Sequence, residues 1–378
     1  MAKQKLKIVH CFRSPVGGIF RHVRDLVEQQ SKDGHEVGIL CDSSTGGAYE
    51  DKLFEEIRPQ LALGITRIPM RRSISPSDIL TLWKASKEIK KLQPDILHSH
   101  SAKGGAYARI IGSALRVSGN RVARLYCPHG GSIHYDAKSI KGRIFFVIER
   151  LFESLTDRLI FVSKYEQDGY SEKVGEPKCA VSLVYNGLSK EEFLPVKPDK
   201  DAADFLYIGM MRDLKGPDVF LNALAKLQTG KTGPTAHFVG DGPDKDNYIK
   251  QIAELGLSEK VTVHDAMPAR EAFAMAKCVV VPSRAESMPY IVLEAVAASK
   301  PIICTNVGGI PEIFDTELDT LVEAGNSDAL AASFKKMLAN KNALSQAKES
   351  MQRLKERFSV EVMSKNIMQA YRDSMQQS

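Results

Sequence analysis

The chain has 378 residues, 43% of them apolar and 26% charged, longer than one compact core usually serves and ordinary in composition for a soluble globular protein. No apolar run approaches the ~20 residues that a membrane-spanning helix needs. The net charge of +6 is uneven: residues 1–190 carry 30 Lys+Arg against 20 Asp+Glu, and the rest carry 22 against 26. A basic first half suits anionic partners such as phosphates or membrane headgroups, and a merely lysine-rich surface would look the same. No module of interleaved basic and aromatic residues accompanies the charge, which argues against a nucleic-acid partner.

In chain order, the opening "MAKQKLKIVHCF" reads as a first β-strand. Its apolar run is too short for a secretory leader, so a cytoplasmic location is expected. Short apolar runs then alternate with longer amphipathic segments. The first half offers "LKIVHCF", "EVGILC", "ITRIPM", "DILHSH", "RVARLYC", "RLIFVS" and "AVSLVYN". The second offers "DFLYIGM", "TAHFVG", "KVTVHDA", "CVVVPS", "PIICTN" and "TLVEA". Strand–helix alternation predicts parallel sheets covered by helices, and two series predict an α/β chain of two doubly wound Rossmann-like domains. The charged, proline-containing stretch "NGLSKEEFLPVKPDKDAAD" marks the seam. The expected division is residues 1–188, 189–360 and a last helix within 361–378, which could pack back on the first domain.

Six cysteines, Cys11, Cys41, Cys127, Cys179, Cys278 and Cys304, each fall in or beside a different strand, with no CxxC pair. Free buried thiols fit this pattern better than disulfides or a metal centre.

In doubly wound sheets, ligands bind beyond the carboxyl ends of the strands. Glycine-rich turns recur there: "RSPVGGIF" with Gly17 and Gly18, "PHGGSIHY" with His129, "GMMRDLKGPD" with Arg212 and Lys215, "GDGPD", and "TNVGGIPE". Backbone N–H groups and helix starts at such turns suit an anion. The segment "SRAESMPYIVLEAVAASKPIICTNVGGIPEIF" is the richest. Glu286 precedes a helix expected over 287–299, with Pro289 in its first turn, where a missing N–H costs nothing. Glu294 lies about a turn further on. The N–H groups around Ser287, Met288, Pro289, Tyr290 and Ile291 would receive a phosphate. The two carboxylates would accept hydroxyls on either side of a diphosphate, the layout of a nucleotide-sugar. A capping or dipole role would also account for two glutamates so placed. His98 and His100 alternate along one strand face, and no spacing of zinc ligands accompanies them.

The segment resembles the C-terminal signature of the retaining glycosyltransferases of the group 1 type. In this chain the signature comprises Glu286, Glu294, "AASKP", "IICT", Gly308, Gly309 and Glu312. "PVGGIFRHVRDL", "PDILHSHSAKGG", "LIFVSKYEQDGY", "SLVYNGLSKEEF" and "FLYIGMMRDLKGPDVFLNAL" extend the likeness over nearly the whole chain. The resemblance implies a GT-B fold, two domains facing across a cleft, and transfer of a hexose from a nucleoside-diphosphate sugar with retention of configuration. The acceptor would be a glycan or lipid-linked hydroxyl, in cell-surface polysaccharide or lipopolysaccharide synthesis. By the same resemblance Glu286 contacts the donor sugar, Glu294 the ribose and Lys215 the diphosphate, and His129 stands near the reacting bond. Gly17 and Gly18 would let the backbone approach the phosphate or the acceptor closely. Met210 stands where the family often has arginine, with Arg212 as a substitute. No cofactor or metal is expected, because lysine and N–H groups can neutralise the leaving phosphate. A GT-B-type sugar-nucleotide 2-epimerase is the alternative. "KSIKGRIFFVIERLFESL" has basic and apolar residues at helical spacing. It suits either core packing or contact with an anionic membrane on its inner, cytoplasmic face.

Overall fold

The structure is a computed structural model that describes residues 5–71, 73, 75–229, 232–314 and 321–377. It divides into two compact units, Met1–Gly187 with Val360–Ser378, and Leu188–Ser359.

The first unit alternates β1 (Lys7–Phe12), α1 (Gly17–Lys32), β2 (Glu36–Asp42), α2 (Ala48–Ile57), β3 (Gly64–Ile68), α3 (Ser77–Leu92), β4 (Ile96–His100), α4 (Ser101–Val117), β5 (Ala123–Cys127), α5 (Ile140–Glu153), β6 (Arg158–Phe161), α6 (Lys164–Lys173) and β7 (Ala180–Leu183). The seven strands form one sheet in the order β3-β2-β1-β4-β5-β6-β7, every pair parallel. Central strands of such a sheet are buried on both faces, which is why they read as nearly continuous apolar runs. The period of two assigns their side chains to two cores. Val9, Cys11, Leu40 and Leu97 pack with residues of α3 and α4, and Phe12, Val37, Ile39 and Cys41 pack with residues of α1 and α2. His10 shares the Phe12 face of β1, and His98 and His100 lie opposite Leu97 on β4.

The second unit alternates β8 (Ala203–Ile208), α7 (Pro217–Ala225), β9 (Ala236–Val239), α8 (Lys245–Glu254), β10 (Val261–His264), α9 (Ala269–Ala274), β11 (Ala276–Val281), α10 (Tyr290–Ala297), β12 (Ile302–Thr305), α11 (Ile310–Phe314), β13 (Leu321–Val322), α12 (Ser327–Ala339) and α13 (Ala343–Arg357). Its sheet order is β10-β9-β8-β11-β12-β13, again parallel throughout. The last helix, α14 (Val360–Gln377), belongs to the first unit and packs against α1. Buried Ile367, Met368, Ala370 and Tyr371 fall at helical spacing on its inner face.

Strand order reverses between β1 and β4 in the first sheet and between β8 and β11 in the second. These are the two topological switch points, where the fold opens a crevice beyond the strand ends. The six cysteines are free. Five are buried and Cys179 is half-buried, so that one thiol is less enclosed than its place beside a strand suggests.

Candidate functional site

At the second switch point the loops after β8 and β11 meet. Lys215 Nζ donates to Glu286 Oε1 at 2.6 Å, and Ser283 Oγ donates to the same oxygen at 2.7 Å. Glu286 is only 7% exposed, and a carboxylate so placed needs such partners. Two glycines hold this loop. Gly216 ends the Lys215 turn with φ +67, and a Cβ there would lie 2.1 Å from the carbonyl of Pro282. Gly308, at φ +60, brings its backbone so close that a Cβ would stand 1.7 Å from the Glu286 carbonyl. No side chain fits either place. Gly309 N–H then donates to Ser287 O at 2.8 Å, and Thr305 Oγ1 to Ser283 O at 2.6 Å. The Gly308-Gly309 turn therefore fixes the Glu286 loop through its backbone.

Arg284 braces the loop from the other side. Its guanidinium takes both Asp218 oxygens, at 2.6 and 2.8 Å, and the Asp213 carbonyl at 2.7 Å. The forked geometry matches a carboxylate in two places at once. The sequence reading passed over Arg284 and Asp218. Their only signal was an arginine just after the strand-end "PS" and an aspartate just inside a helix start.

The helix after Glu286 begins later than the sequence suggested. It runs from Tyr290 to Ala297 with Pro289 at its N-cap, φ −75 and ψ 122. Proline disfavours a helical residue before it, and the Gly309 bond holds Ser287 outside the helix. So Pro289 is not in the first turn, and Ser287 and Met288 are loop residues. The amides of Val292 and Leu293 both turn to the Pro289 carbonyl, at 3.2 and 3.4 Å. Tyr290 and Glu294, four apart, share a helix face, and Glu294 is half-buried. Ser287 Oγ is shielded from solvent and has no hydrogen-bond partner among the described residues. Arg212 caps the short turn Asp213–Lys215, and its side chain makes no ion pair among the described residues. Met210 is 41% exposed. The "GDGPD" loop packs on this turn: Met211 N–H donates to Asp241 O at 2.8 Å and Asp213 N–H to Asp244 Oδ2 at 3.3 Å.

The first unit's switch point is built of histidines. Gly17 and Gly18 open α1, Gly17 with φ +64. His129 follows β5 with φ +51, a conformation rare for a side chain with a Cβ. Its turn is held by Glu166, whose buried carboxylate accepts from the Gly130 amide and, at 2.8 Å, from Val162 N–H. Ser163 Oγ accepts from Glu166 N–H at 3.1 Å, as in a helix cap. The "SKYE" spacing carried that signal, and the sequence reading missed it.

His129 Nε2 lies 3.0 Å from His100 Nδ1. His22 packs edge-on to His129 at 4.9 Å, with His22 Nδ1 3.0 Å from Asn186 Oδ1. Burial lowers the histidine pKa values, to about 4 for His10 and about 3 for His129. His22, His98 and His100 also fall well below the ordinary value. Burial is the main cause, and the neighbouring rings add to it. These rings are neutral at pH 7. Spacing along the chain displayed no such cluster; parallel pairing of β1 with β4 and the return of α1 assemble it.

Residues 189–357 match the family described as Glycosyl transferases group 1, and residues 16–192 match Glycosyltransferase Family 4. The two matches together span residues 16–357 and both are glycosyltransferase families, so the chain is a glycosyltransferase whose second unit is of the group 1 type. It is 26% identical over 368 residues to an uncharacterized glycosyltransferase of Methanocaldococcus jannaschii, covering 95% of each chain. It is 30% identical over 254 residues to a putative teichuronic acid biosynthesis glycosyltransferase, TuaC, of Bacillus subtilis, covering 64% of this chain and 61% of that one. Among solved structures, Anabaena HepE in complex with UDP superposes with a TM-score of 0.77 over 98% of this chain and 100% of its own, at 16% identity. That likeness establishes the GT-B fold. Both matching families are transferases, so the 2-epimerase alternative receives no support.

Proposed function

We propose that this glycosyltransferase moves a hexose from a nucleoside-diphosphate sugar to an acceptor hydroxyl, with retention of configuration, in the synthesis of a cell-surface polysaccharide or lipopolysaccharide. The observation that carries the reading is the Lys215–Glu286 pair at the β8/β11 switch point, held by Gly216 and Gly308. A buried carboxylate already paired with lysine can accept sugar hydroxyls without repelling a nearby diphosphate. The lysine keeps hydrogens to offer the phosphate. The lone hydroxyl of Ser287 and the Glu294 face of α10 supply further contacts for the donor, Glu294 at the ribose. The TuaC relative's name supports a polysaccharide product, and the UDP in the HepE complex supports a nucleotide-linked donor.

Negative charge grows on the leaving diphosphate as the glycosidic bond breaks. Lys215, assisted by Arg212 and backbone N–H groups, stabilises that charge where water would have to reorganise. Glu286 orients the sugar through its hydroxyls. The leaving phosphate oxygen can itself take the acceptor proton. In the first unit, neutral His129 is the residue assigned to the reacting bond, and Gly17 and Gly18 to close backbone approach. No metal is required, and EDTA is expected to leave transfer unchanged. Nucleotide release from UDP-, GDP- and ADP-sugars, followed by NMR of the product's anomeric proton, tests this reading. An inverted anomer would remove the retention.

The acceptor is assigned to a membrane. No helix among the described residues is long and apolar enough to cross one. Yet α5 turns Ile140, Ile144, Val147 and Leu151 to solvent, 54–80% exposed. It buries Gly142, Phe146, Glu149 and Glu153 instead. Lys138, Lys141 and Arg143 flank the apolar stripe, as on helices that lie in an anionic interface. Flotation with anionic liposomes tests this: Ile144→Glu with Leu151→Glu should abolish binding, and no binding of the unaltered protein at low salt would contradict it.

A further inference from the structure

Behind His129 the rings form a row that the proposed chemistry leaves unused. His100 Nε2 lies 3.1 Å from His10 Nδ1, and His10 Nε2 lies 2.9 Å from Gln30 Oε1. Gln30 Nε2 is 3.3 Å from the Tyr371 hydroxyl, which is 2.7 Å from His98 Nδ1. His10, Gln30, His98 and His100 are fully buried, as is Tyr371. Elements distant in sequence, β1, α1, β4 and α14, each contribute to this one row.

Neutral imidazole has one N–H and one lone pair, so the row has a direction. An amide oxygen can only accept, which puts the His10 proton on Nε2. His10 Nδ1 then accepts from His100 Nε2–H, and His100 Nδ1 accepts from His129 Nε2–H. The lone pair is left at His129 Nδ1, the ring nitrogen that the row does not use. The other end agrees. There Gln30 Nε2–H donates to the Tyr371 hydroxyl, whose own proton is left to donate to His98 Nδ1. Turning the Gln30 amide over would reverse every bond and put the proton on His129 Nδ1. In either sense His98 Nε2 is buried without a hydrogen-bond partner among the described residues, a cost of about 1–3 kcal/mol that the row retains.

We propose that Gln30, two imidazoles away from His129, is a positioning residue that fixes His129 as its Nε2–H tautomer and presents the Nδ1 lone pair to the substrate, with Tyr371 holding the amide in the required sense. The row orients and does not conduct, because the amide oxygen accepts a hydrogen bond but is too weak a base to take a proton. Nitrogens of His10, His98 and His100, and of His22, His100 and His129, also come within 4.8 Å of one another. A metal there would have to break the His100 pairings at 3.0 and 3.1 Å, so the same atoms cannot serve both roles.

This inference rests on the assignment of His129 to the reacting bond, and the two are separable. Long-range proton–nitrogen NMR of the full chain labelled in histidine should give His10, His100 and His129 as single neutral Nε2–H tautomers at pH 7. Tyr371→Phe keeps the ring and its packing, and should turn His129 into a tautomer mixture. It should lower kcat at least about tenfold with the donor KM unchanged. Gln30→Leu should do the same. Gln30→Glu, still an acceptor toward His10, should restore the single tautomer. A wild-type His129 protonated on Nδ1, or an unchanged tautomer in folded Gln30→Leu and Tyr371→Phe, would overturn the proposal. So would stoichiometric Co2+ binding with a ligand-field spectrum lost in His100→Gln. If His129→Asn leaves transfer intact while the tautomers come out as expected, the reaction assignment fails and the row stands.

Discussion

The two switch points solve the same topological problem with opposite materials. In the first unit β1, β4 and the turn after β5 carry rings that burial keeps neutral, joined nitrogen to nitrogen. In the second the loops after β8 and β11 carry full charges, Lys215 with Glu286 and Arg284 with Asp218, on backbone pinned by glycine. A neutral row can set the direction of a hydrogen bond without attracting ions. A paired lysine can meet a diphosphate. One doubly wound sheet thus supports either arrangement, built from strand residues in the first unit and from loop residues in the second.

The contrast can be broken most severely at Gly308. Gly308→Ala places a methyl 1.7 Å from the Glu286 carbonyl at φ +60. It should cost about 3 kcal/mol or more in unfolding free energy and abolish nucleotide release. Denaturant unfolding and a release assay check this. Lys215→Ala removes the charge and keeps the loop. Turnover should fall about a hundredfold or more, and Lys215→Arg should recover only part of it, because the fork and the ammonium differ in shape.

Acid sharpens the contrast from the other side. An unfolded histidine titrates near 6.5, whereas His10 in the folded chain titrates near 4, mainly because it is buried. The unfolded state therefore takes up protons that the native state excludes. Stability is fully present above about pH 6.5 and is lost as pH falls toward 4, roughly 3 kcal/mol from His10 alone. Thermal unfolding midpoints of the full chain should drop steadily across that window; a flat profile would mean that the row is solvated. The smallest effect is expected at Glu294. Glu294→Ala should weaken nucleotide-sugar affinity about tenfold, the loss of hydrogen bonds to a charged acceptor, and leave kcat nearly unchanged. Unchanged affinity would remove the ribose assignment.

The thirteen strands found among the described residues were legible in the sequence as short apolar runs, most continuous in the central strands that are buried on both faces. The Lys215–Glu286 pairing was legible for a related reason: Glu286, Lys215 and Gly308 sit at strand ends, where glycine and charge interrupt apolar runs. The start of α10 was misread because "SMPY" fits a helix by composition, whereas the Gly309–Ser287 bond comes from a loop twenty-two residues on. The histidine row was illegible for a deeper reason. His10, His22, His98, His100 and His129 meet only through parallel pairing, and Gln30 and Tyr371 join them from helices at opposite ends of the chain. No spacing rule connects residue 30 with residue 371.

We propose that the β8/β11 loops grip a nucleotide-sugar. The most direct test is nucleotide release from UDP-, GDP- and ADP-sugars by the unaltered protein and by Lys215→Ala and Glu294→Ala. One nucleotide series should be turned over. Loss of Lys215 should act mainly on turnover and loss of Glu294 mainly on affinity. Release from none of the three, or an epimerised sugar-nucleotide formed without any acceptor, would contradict it.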